Sequence, residues 1–406
     1  MKNTKLFIIL CVATSLGCKK EEQESATPVV NESNFDATKG WKLLKTIPYD
    51  DVLVGINNDR KVAVFDIDYK NNNLRVFYWE GRKSQQSYIY SIHRVDEYDA
   101  SGNLVKREDP HSWISPKRNG YPIPPYVFQH YILYKETPCL VALYNPGSGG
   151  PANWGYYENK AEGNISKGIS GSYEAKGVNV RYDDNMIFAF GNFNQTRFFA
   201  NWFQDGIWTT YKTGDFSVNN DFYKKSVNVL TGIDLINNEI YAFMGGNFNK
   251  LDSSFLAIQR FDTTQSKFIT VKEKHIPFKN IKVPYWADTH EQYYFNNNGS
   301  PLMVLENDSG FVIYKVDMTD LSFTEHANVT FPVKGSYSLV AFEDEIYMGY
   351  YIDGIPSVVK FKGNATIQVG KAGITKGSAS IKLKVVNNKI HVLLDGGAEA
   401  YIAVPE

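Results

Sequence analysis

The sequence predicts an all-β fold, a β-propeller of about seven blades with several strands each, and three observations carry that expectation. Short apolar, β-prone runs return about every 50 residues: Ile187-Phe188-Ala189-Phe190 lies 53 positions before Ile240-Tyr241-Ala242-Phe243, and Glu345-Ile346-Tyr347-Met348 lies 106 after Ile240. The segments downstream of the runs repeat as well. Lys315-Val316-Asp317-Met318-Thr319 and Phe323 echo Arg260-Phe261-Asp262-Thr263-Thr264 and Phe268 at a shift of 55, and Phe193-Asn194 echoes Phe248-Asn249. Finally, no stretch sustains the 3.6-residue apolar period that a helical solenoid requires.

The clearest unit begins at Ile240. Ile240 to Phe243 is apolar throughout, as expected of a strand covered on both faces. Asn237-Asn238 before it is a turn signal. Gly245-Gly246 is expected to end the run, since paired glycines let the backbone turn through positive φ and let another backbone approach closely. Phe255-Leu256-Ala257-Ile258 and Phe268-Ile269-Thr270-Val271 read as the next strands, joined by the polar turn Asp262 to Ser266. Gln292-Tyr293-Tyr294-Phe295 is the next counterpart of Ile240, with Pro301-Leu302-Met303-Val304 a rival for that place. Asn388-Lys389-Ile390-His391-Val392 supplies the last and ends at Gly396-Gly397.

This unit resembles the repeat of kelch-type propellers, in which a double glycine comes after an apolar strand, then a Tyr- or Phe-Asp turn, then an aromatic after a polar turn. Gly245-Gly246, Phe261-Asp262 and Phe268 stand in those places. Phe268 replaces the usual Trp, Gly191 and Gly349 are single, and the unit around Tyr314 has no glycine pair. The resemblance covers about residues 176–404. It implies an architecture rather than an activity, because kelch repeats carry many functions.

The chain in order divides into residues 1–17, 18–40 and 41–406. Lys2 and Lys5 precede the apolar run Leu6 to Leu16, which is too short to span a bilayer. Ser15-Leu16-Gly17-Cys18 resembles a bacterial lipoprotein signal. That resemblance implies cleavage before Cys18, lipidation of Cys18 and attachment to the outer membrane, with exposure at the cell surface as a further expectation. Several acyl chains on one residue anchor stably where one chain is marginal. Lys19-Lys20-Glu21-Glu22-Gln23-Glu24 cannot bury and reads as the start of a solvated tether running to Lys39.

The globular part starts at Trp41. Trp41 to Ile47, Val52 to Ile56, Val62 to Asp66 and Leu74 to Trp79 read as strands. Tyr88 to Ile92 and Glu97-Tyr98 are expected to pair around Asp99-Ala100-Ser101-Gly102-Asn103. Residues 109–126 hold five prolines and read as a long loop. Strands resume at Tyr131 to Tyr134 and Leu140 to Tyr144. Asn145 to Tyr157 reads as a flexible loop carrying Trp154, Tyr156 and Tyr157. The spacing gives about seven blades, and six or eight fit it as well. Ile381 to Val404 supplies only about three strands, so Trp41 to Ile47 is expected to complete that last blade and close the ring.

The chemistry of the sequence is mostly exclusion. Formal net charge is −1, and no basic cluster beyond Lys19-Lys20 points to nucleic acid. There are three cysteines; Cys11 leaves with the signal, Cys18 takes lipid, and Cys139 in Cys139 to Leu143 reads as a buried inert thiol. The sequence holds no nucleophile elbow, phosphate loop, His-Glu-x-x-His or sialidase Asp box. No two of the seven histidines take a metal-ligand spacing, and His391 inside a strand pattern reads as structural. Asp66-Ile67-Asp68 with Asn71 to Asn73 reads as a polar hairpin rather than a calcium loop. No cofactor or metal is expected.

Two groups of residues could recognise a ligand. Tyr285-Trp286-Ala287-Asp288-Thr289-His290-Glu291 places a stacking Trp286 beside Asp288, His290 and Glu291 just before a strand. Trp113, and Trp154 with Tyr156 and Tyr157, are expected on loops, where aromatics stack on sugar rings or anchor a protein partner. A blade-connecting loop and a Trp tucked against its own blade are the plain alternatives. Three functions stay open: a surface-anchored module that binds a glycan or protein, a carbohydrate-active hydrolase or lyase, and a non-catalytic envelope scaffold. The absence of a catalytic signature favours the binding module.

Overall fold

The computed structural model describes residues 35–36, 41–48, 60–83, 89–107, 117–118, 121–122, 128–134, 137–144, 153–158, 165–169, 175–182, 187–193, 197–204, 207–212, 226–248, 253–265, 267–282, 293–297, 299–331, 337–352, 355–371, 373–374, 380–395 and 399–405. Side chains are described within 41–48, 62–78, 94–107, 231–247, 253–282, 293–331, 337–351, 355–370, 380–394 and 399–405. Among these residues there is no helix, and seven sheets have four antiparallel strands each.

Sheet one is Arg60–Lys70, Asn73–Lys83, Ile89–Tyr98 and Leu104–Arg107, in that order. Sheet two is Phe128–Tyr134, Thr137–Tyr144, Asn153–Glu158 and Ile165–Ile169; sheet three is Ala175–Tyr182, Ile187–Phe193, Arg197–Gln204 and Ile207–Lys212. Sheet four is Ser226–Ile236, Glu239–Phe248, Ser254–Asp262 and Lys267–Ile276; sheet five is Tyr294–Asn297, Ser300–Asn307, Gly310–Asp317 and Ser322–Thr330. Sheet six is Tyr337–Phe342, Glu345–Ile352, Ile355–Lys362 and Ala365–Lys371. Sheet seven takes three strands from Ser380–Val386, Lys389–Asp395 and Glu399–Pro405, and its fourth is Trp41–Pro48.

The first strand of each sheet neighbours the first strand of the next, and the first strand of sheet seven neighbours that of sheet one. A ring of four-stranded meanders closed in this way is a β-propeller. The closure runs through Trp41–Pro48, which pairs antiparallel with Glu399–Pro405 from Trp41↔Pro405 to Pro48↔Glu399. The expectation for Trp41 to Ile47 therefore holds, and an otherwise open edge is covered. Phe35–Asp36 adds a short pair with Gly373–Ile374.

Local sequence explains the hairpins. First and second strands are joined at Asn71-Asn72, Asn237-Asn238, Glu343-Asp344 and Asn387-Asn388, all with positive φ between 49° and 66°. Such two-residue turns match the twist of the flanking strands, and asparagine tolerates the left-handed region best after glycine. Third and fourth strands share a different device. The carboxylate of Asp99 accepts from the Ser101 and Asn103 amides, that of Asp262 from Thr264 and Gln265, and that of Asp317 from Thr319.

Core residues lie between sheets. Phe243, Leu256 and Ile258 of sheet four meet Tyr294, Met303, Leu305 and Val312 of sheet five. Phe311, Ile313 and Ala327 meet Leu339, Met348 and Val359 of sheet six. Trp41, Val392 and Leu394 of sheet seven meet Tyr347 and Val358 of sheet six, and Ile47, Leu393 and Ile402 meet Val62, Val76 and Tyr78 of sheet one.

Several expectations change. Gly245 and Gly246 lie inside Glu239–Phe248, neither with positive φ. A Cβ at Gly245 would sit 2.6 Å from Leu305 Cδ2, so at Gly245 the need is close sheet-on-sheet approach rather than a turn. The counterpart of Ile240 in sheet five is Pro301 to Val304, within the second strand Ser300–Asn307; Tyr294–Asn297 is the first strand. Ile89 to Ile92 does not pair with Glu97-Tyr98: Ile89–Tyr98 is one strand, and its partner across the Asp99 turn is Leu104–Arg107. Asp66 and Asp68 form the polar hairpin, engaged by Lys384 at 2.8 Å and by Arg75 Nε at 2.7 Å. Val52 to Ile56 and Gly396-Gly397 lie outside the described residues.

Candidate functional site

In a ring of this kind, the ends of second strands and the starts of first strands share one face. Glu306 stands near the end of the second strand of sheet five, Tyr293 just before the first strand of that sheet, and Tyr337 at the start of the first strand of sheet six. The three meet. Tyr337 donates a short hydrogen bond to Glu306 Oε2, and the Tyr293 hydroxyl, 2.5 Å from that of Tyr337 and 3.4 Å from the same carboxylate oxygen, donates to the Tyr337 oxygen. Lys282 Nζ donates to Glu306 Oε1 at 2.8 Å and lies 3.6 Å from Asp308.

The carboxylate and both phenols are nearly covered, with Glu306 8 % exposed, Tyr293 7 % and Tyr337 6 %. Burial pushes the Tyr337 hydroxyl up, and the neighbouring Tyr293 and Glu306 push the same way, so it stays protonated and donating. Burial works against the Lys282 ammonium, but the Glu306 and Asp308 carboxylates outweigh it and hold its pKa above the ordinary lysine value. Glu306 thus binds groups from the segment before sheet five and from sheet six, and it holds these elements together.

The chain around it is tied down on both sides. Asn247 Nδ2 donates to the Ile281 carbonyl at 2.7 Å, and its Oδ1 accepts from the Ile281 amide at 2.7 Å. Asn307 Nδ2 reaches the Lys279 carbonyl at 3.0 Å, and the Lys282 amide donates to the Glu306 carbonyl at 2.7 Å. On the other side, the Tyr293 carbonyl accepts from the Val304 amide at 2.8 Å. Lys282 and Tyr293, which bracket residues 283–292, therefore converge on one carboxylate.

Of the site residues expected from sequence, Trp286, Asp288, His290 and Glu291 lie within the bracketed stretch and, like Trp113 and Cys18, lie outside the described residues. Trp154, Tyr156 and Tyr157, expected on a loop, belong to Asn153–Glu158, the third strand of sheet two, opposite Leu143, Val141 and Leu140. Their aromatic, β-prone composition outweighs the glycine-rich stretch before them. Cys139 is in the strand Thr137–Tyr144. Glu306, Lys282, Tyr293 and Tyr337 are not singled out by sequence. The one signal is Glu306 at the end of an apolar run, a charge where the strand pattern calls for an apolar or turn residue.

No family model and no curated protein matches the chain. Solved structures do. The chain is similar to a Trypanosoma rangeli sialidase in complex with 2,3-difluorosialic acid, at 8 % identity and a TM-score of 0.41, with 76 % of this chain and 56 % of the sialidase covered; the chain thus spans little more than half the sialidase's length. It is similar to the polysaccharide lyase Uly1 at 10 % identity and a TM-score of 0.47, covering 90 % of this chain and 99 % of the lyase. It is also similar to the β-propeller domain of Cps50 (Swd1) from Myceliophteria_thermophila at 9 % identity and a TM-score of 0.47, covering 88 % and 99 %.

Proposed function

We propose that the protein is a lipid-anchored binding module of the bacterial outer membrane, held by Cys18, that recognises a glycan or a protein through loops on one propeller face. The observation that carries this reading is the convergence of Lys282 and Tyr293 on the buried Glu306. Between these two residues the sequence places Trp286, Asp288, His290 and Glu291, a stacking ring beside three polar groups. A recognition segment gains affinity when its ends are fixed beforehand, since less ordering is left for the binding step.

The test is a glycan-array screen of residues 26–406, with a turnover assay on every hit. Binding without turnover, weakened at least about tenfold by Trp286→Ala, supports the reading. Turnover would overturn it in favour of a hydrolase or lyase. Silence on the array, together with failure to retain a protein from native envelopes, would overturn it in favour of a scaffold. The anchor is tested separately: Cys18→Ala should release the protein from the membrane fraction, and mass spectrometry of the N-terminal peptide should lose the acyl mass.

A further inference from the structure

Polar and charged contacts bridge the described junctions between sheets; at that of sheets four and five, Lys274 Nζ donates to the Phe323 carbonyl at 2.8 Å and stands 5.6 Å over the Tyr314 ring. Asp234 of sheet four accepts from Tyr294 of sheet five at 2.8 Å, Glu306 of sheet five accepts from Tyr337 of sheet six, and Ser338 of sheet six accepts from the Leu383 amide at 3.0 Å. At the closing junction the cations come from sheet seven. Lys384 Nζ lies 2.8 Å from Asp66, and Lys45 Nζ donates to the Gly102 carbonyl at 2.7 Å and stands 4.0 Å over the Tyr98 ring. The same junction holds His391, 2 % exposed.

His391 Nδ1 lies 3.1 Å from the Lys389 carbonyl, and Nε2 lies 3.3 Å from the Tyr69 hydroxyl of sheet one. The carbonyl can only accept, so Nδ1 carries the proton and Nε2 accepts from Tyr69. Lys384 is directly opposite His391 in the strand pair. The charged and titratable groups around the ring are then Lys384 and Lys382 from the opposite strand, Lys389 from its own, Asp66, Asp68 and Tyr69 from the first strand of sheet one, and Arg75 behind Asp68. Asp66 is engaged by Lys384, and Asp68 by Arg75. A second proton on His391 would reverse its bond with Tyr69 and add positive charge beside Lys384 and Lys389.

We propose that His391 makes the closing junction pH-sensitive: on mild acidification the ring loosens between sheets one and seven while the junctions among sheets four, five and six stay shut. The sign comes from burial, which pulls the imidazole below its ordinary value of 6.5. A depressed folded value gives stability that is present above the unfolded value and lost as pH falls through the folded one. Loss therefore begins as pH drops below about 6.5.

The experiment is amide hydrogen exchange on the full chain at about pH 7.5 and about pH 5, corrected for intrinsic rates, comparing residues 60–70 and 389–395 with residues 310–317. The expected result is a loss of protection of at least about tenfold at the closing junction alone, abolished by His391→Gln. Uniform loss across all strands, or an unchanged local loss in the variant, would overturn the proposal. Should His391→Gln fail to fold, the wild-type imidazole is tracked by NMR. Titration of His391 in step with the loss of protection supports the proposal, and an imidazole that titrates without it overturns it.

Discussion

Trp41 pairs with Pro405 across the outer edge of sheet seven, joining strands separated by nearly the whole described chain. The indole is 1 % exposed and packs with Tyr347, Val358 and Leu383, so one side chain ties the closing strand to sheet six as well. Trp41→Ala is expected to destabilise the protein by about 3–5 kcal/mol in urea unfolding, the range for a deeply buried aromatic. Removing residues 1–47 is expected to leave Glu399–Pro405 as an open edge and to produce dimers or aggregates in size-exclusion chromatography. A monomeric, fully stable truncated chain would show that closure does not depend on this strand.

The ring is legible in the sequence because its signals are local: an apolar run, a polar turn, another run. The closing strand is legible because the last unit comes up one strand short. The register within units is not. Ile240 and Tyr294 both sit in apolar runs, but one is in a second strand and the other in a first. Only tertiary pairing separates the two. Gly245 reads as a turn for a similar reason, since its neighbour Leu305 is 60 positions away and belongs to another sheet. The Glu306 cluster draws on four separate stretches of chain, and no spacing could announce it.

Glu306 accepts from Lys282 and Tyr337, and the Tyr293 hydroxyl backs the Tyr337 oxygen at 2.5 Å. Glu306→Ala is expected to cost about 3 kcal/mol or more, because buried donors would lose a charged acceptor. Glu306→Gln, which keeps the shape but can accept through only one atom, should cost less. Chemical denaturation of both variants measures the difference, and equal costs would show that packing rather than hydrogen bonding dominates at this position.

Glycines at sheet-on-sheet contacts give a graded test. A Cβ at Gly232 would lie 2.1 Å from Tyr294 Cβ and 2.4 Å from Cγ, whereas one at Gly102 meets nothing within 4 Å. Gly232→Ala is expected to exceed the roughly 1–3 kcal/mol typical of overpacking, because the obstacle is the root of a side chain and not its tip. Gly102→Ala should cost about 1–2 kcal/mol, from its φ of 83° alone. Thermal unfolding of the pair ranks them, and a smaller shift for Gly232→Ala would contradict the packing of sheets four and five.

The turn Glu343-Asp344 holds a glutamate, poorly suited to the left-handed region, at a φ of 50°, and an aspartate, less suited than glycine to the second place, at 62°. The double change Glu343→Asn and Asp344→Gly should stabilise the fold by about 0.5–1 kcal/mol, since that pair suits a two-residue hairpin with both φ positive. An unchanged midpoint in denaturant would mean that the turn is not under strain.

Alkaline stability should report on Tyr314, whose hydroxyl is pushed up to about 12 by burial and by the Glu325 carboxylate beside it. A folded value above the unfolded one means that the stabilisation is complete below the unfolded value and is lost as pH rises through the folded value. The protein should therefore weaken between about pH 10 and about pH 12. Tyr314→Phe should flatten part of that slope, since phenylalanine packs similarly and cannot ionise. Carbon-13 NMR of labelled tyrosine gives the titration directly. A Tyr314 resonance that titrates near its ordinary value would remove this residue from the alkaline transition and leave the other buried tyrosines to account for it.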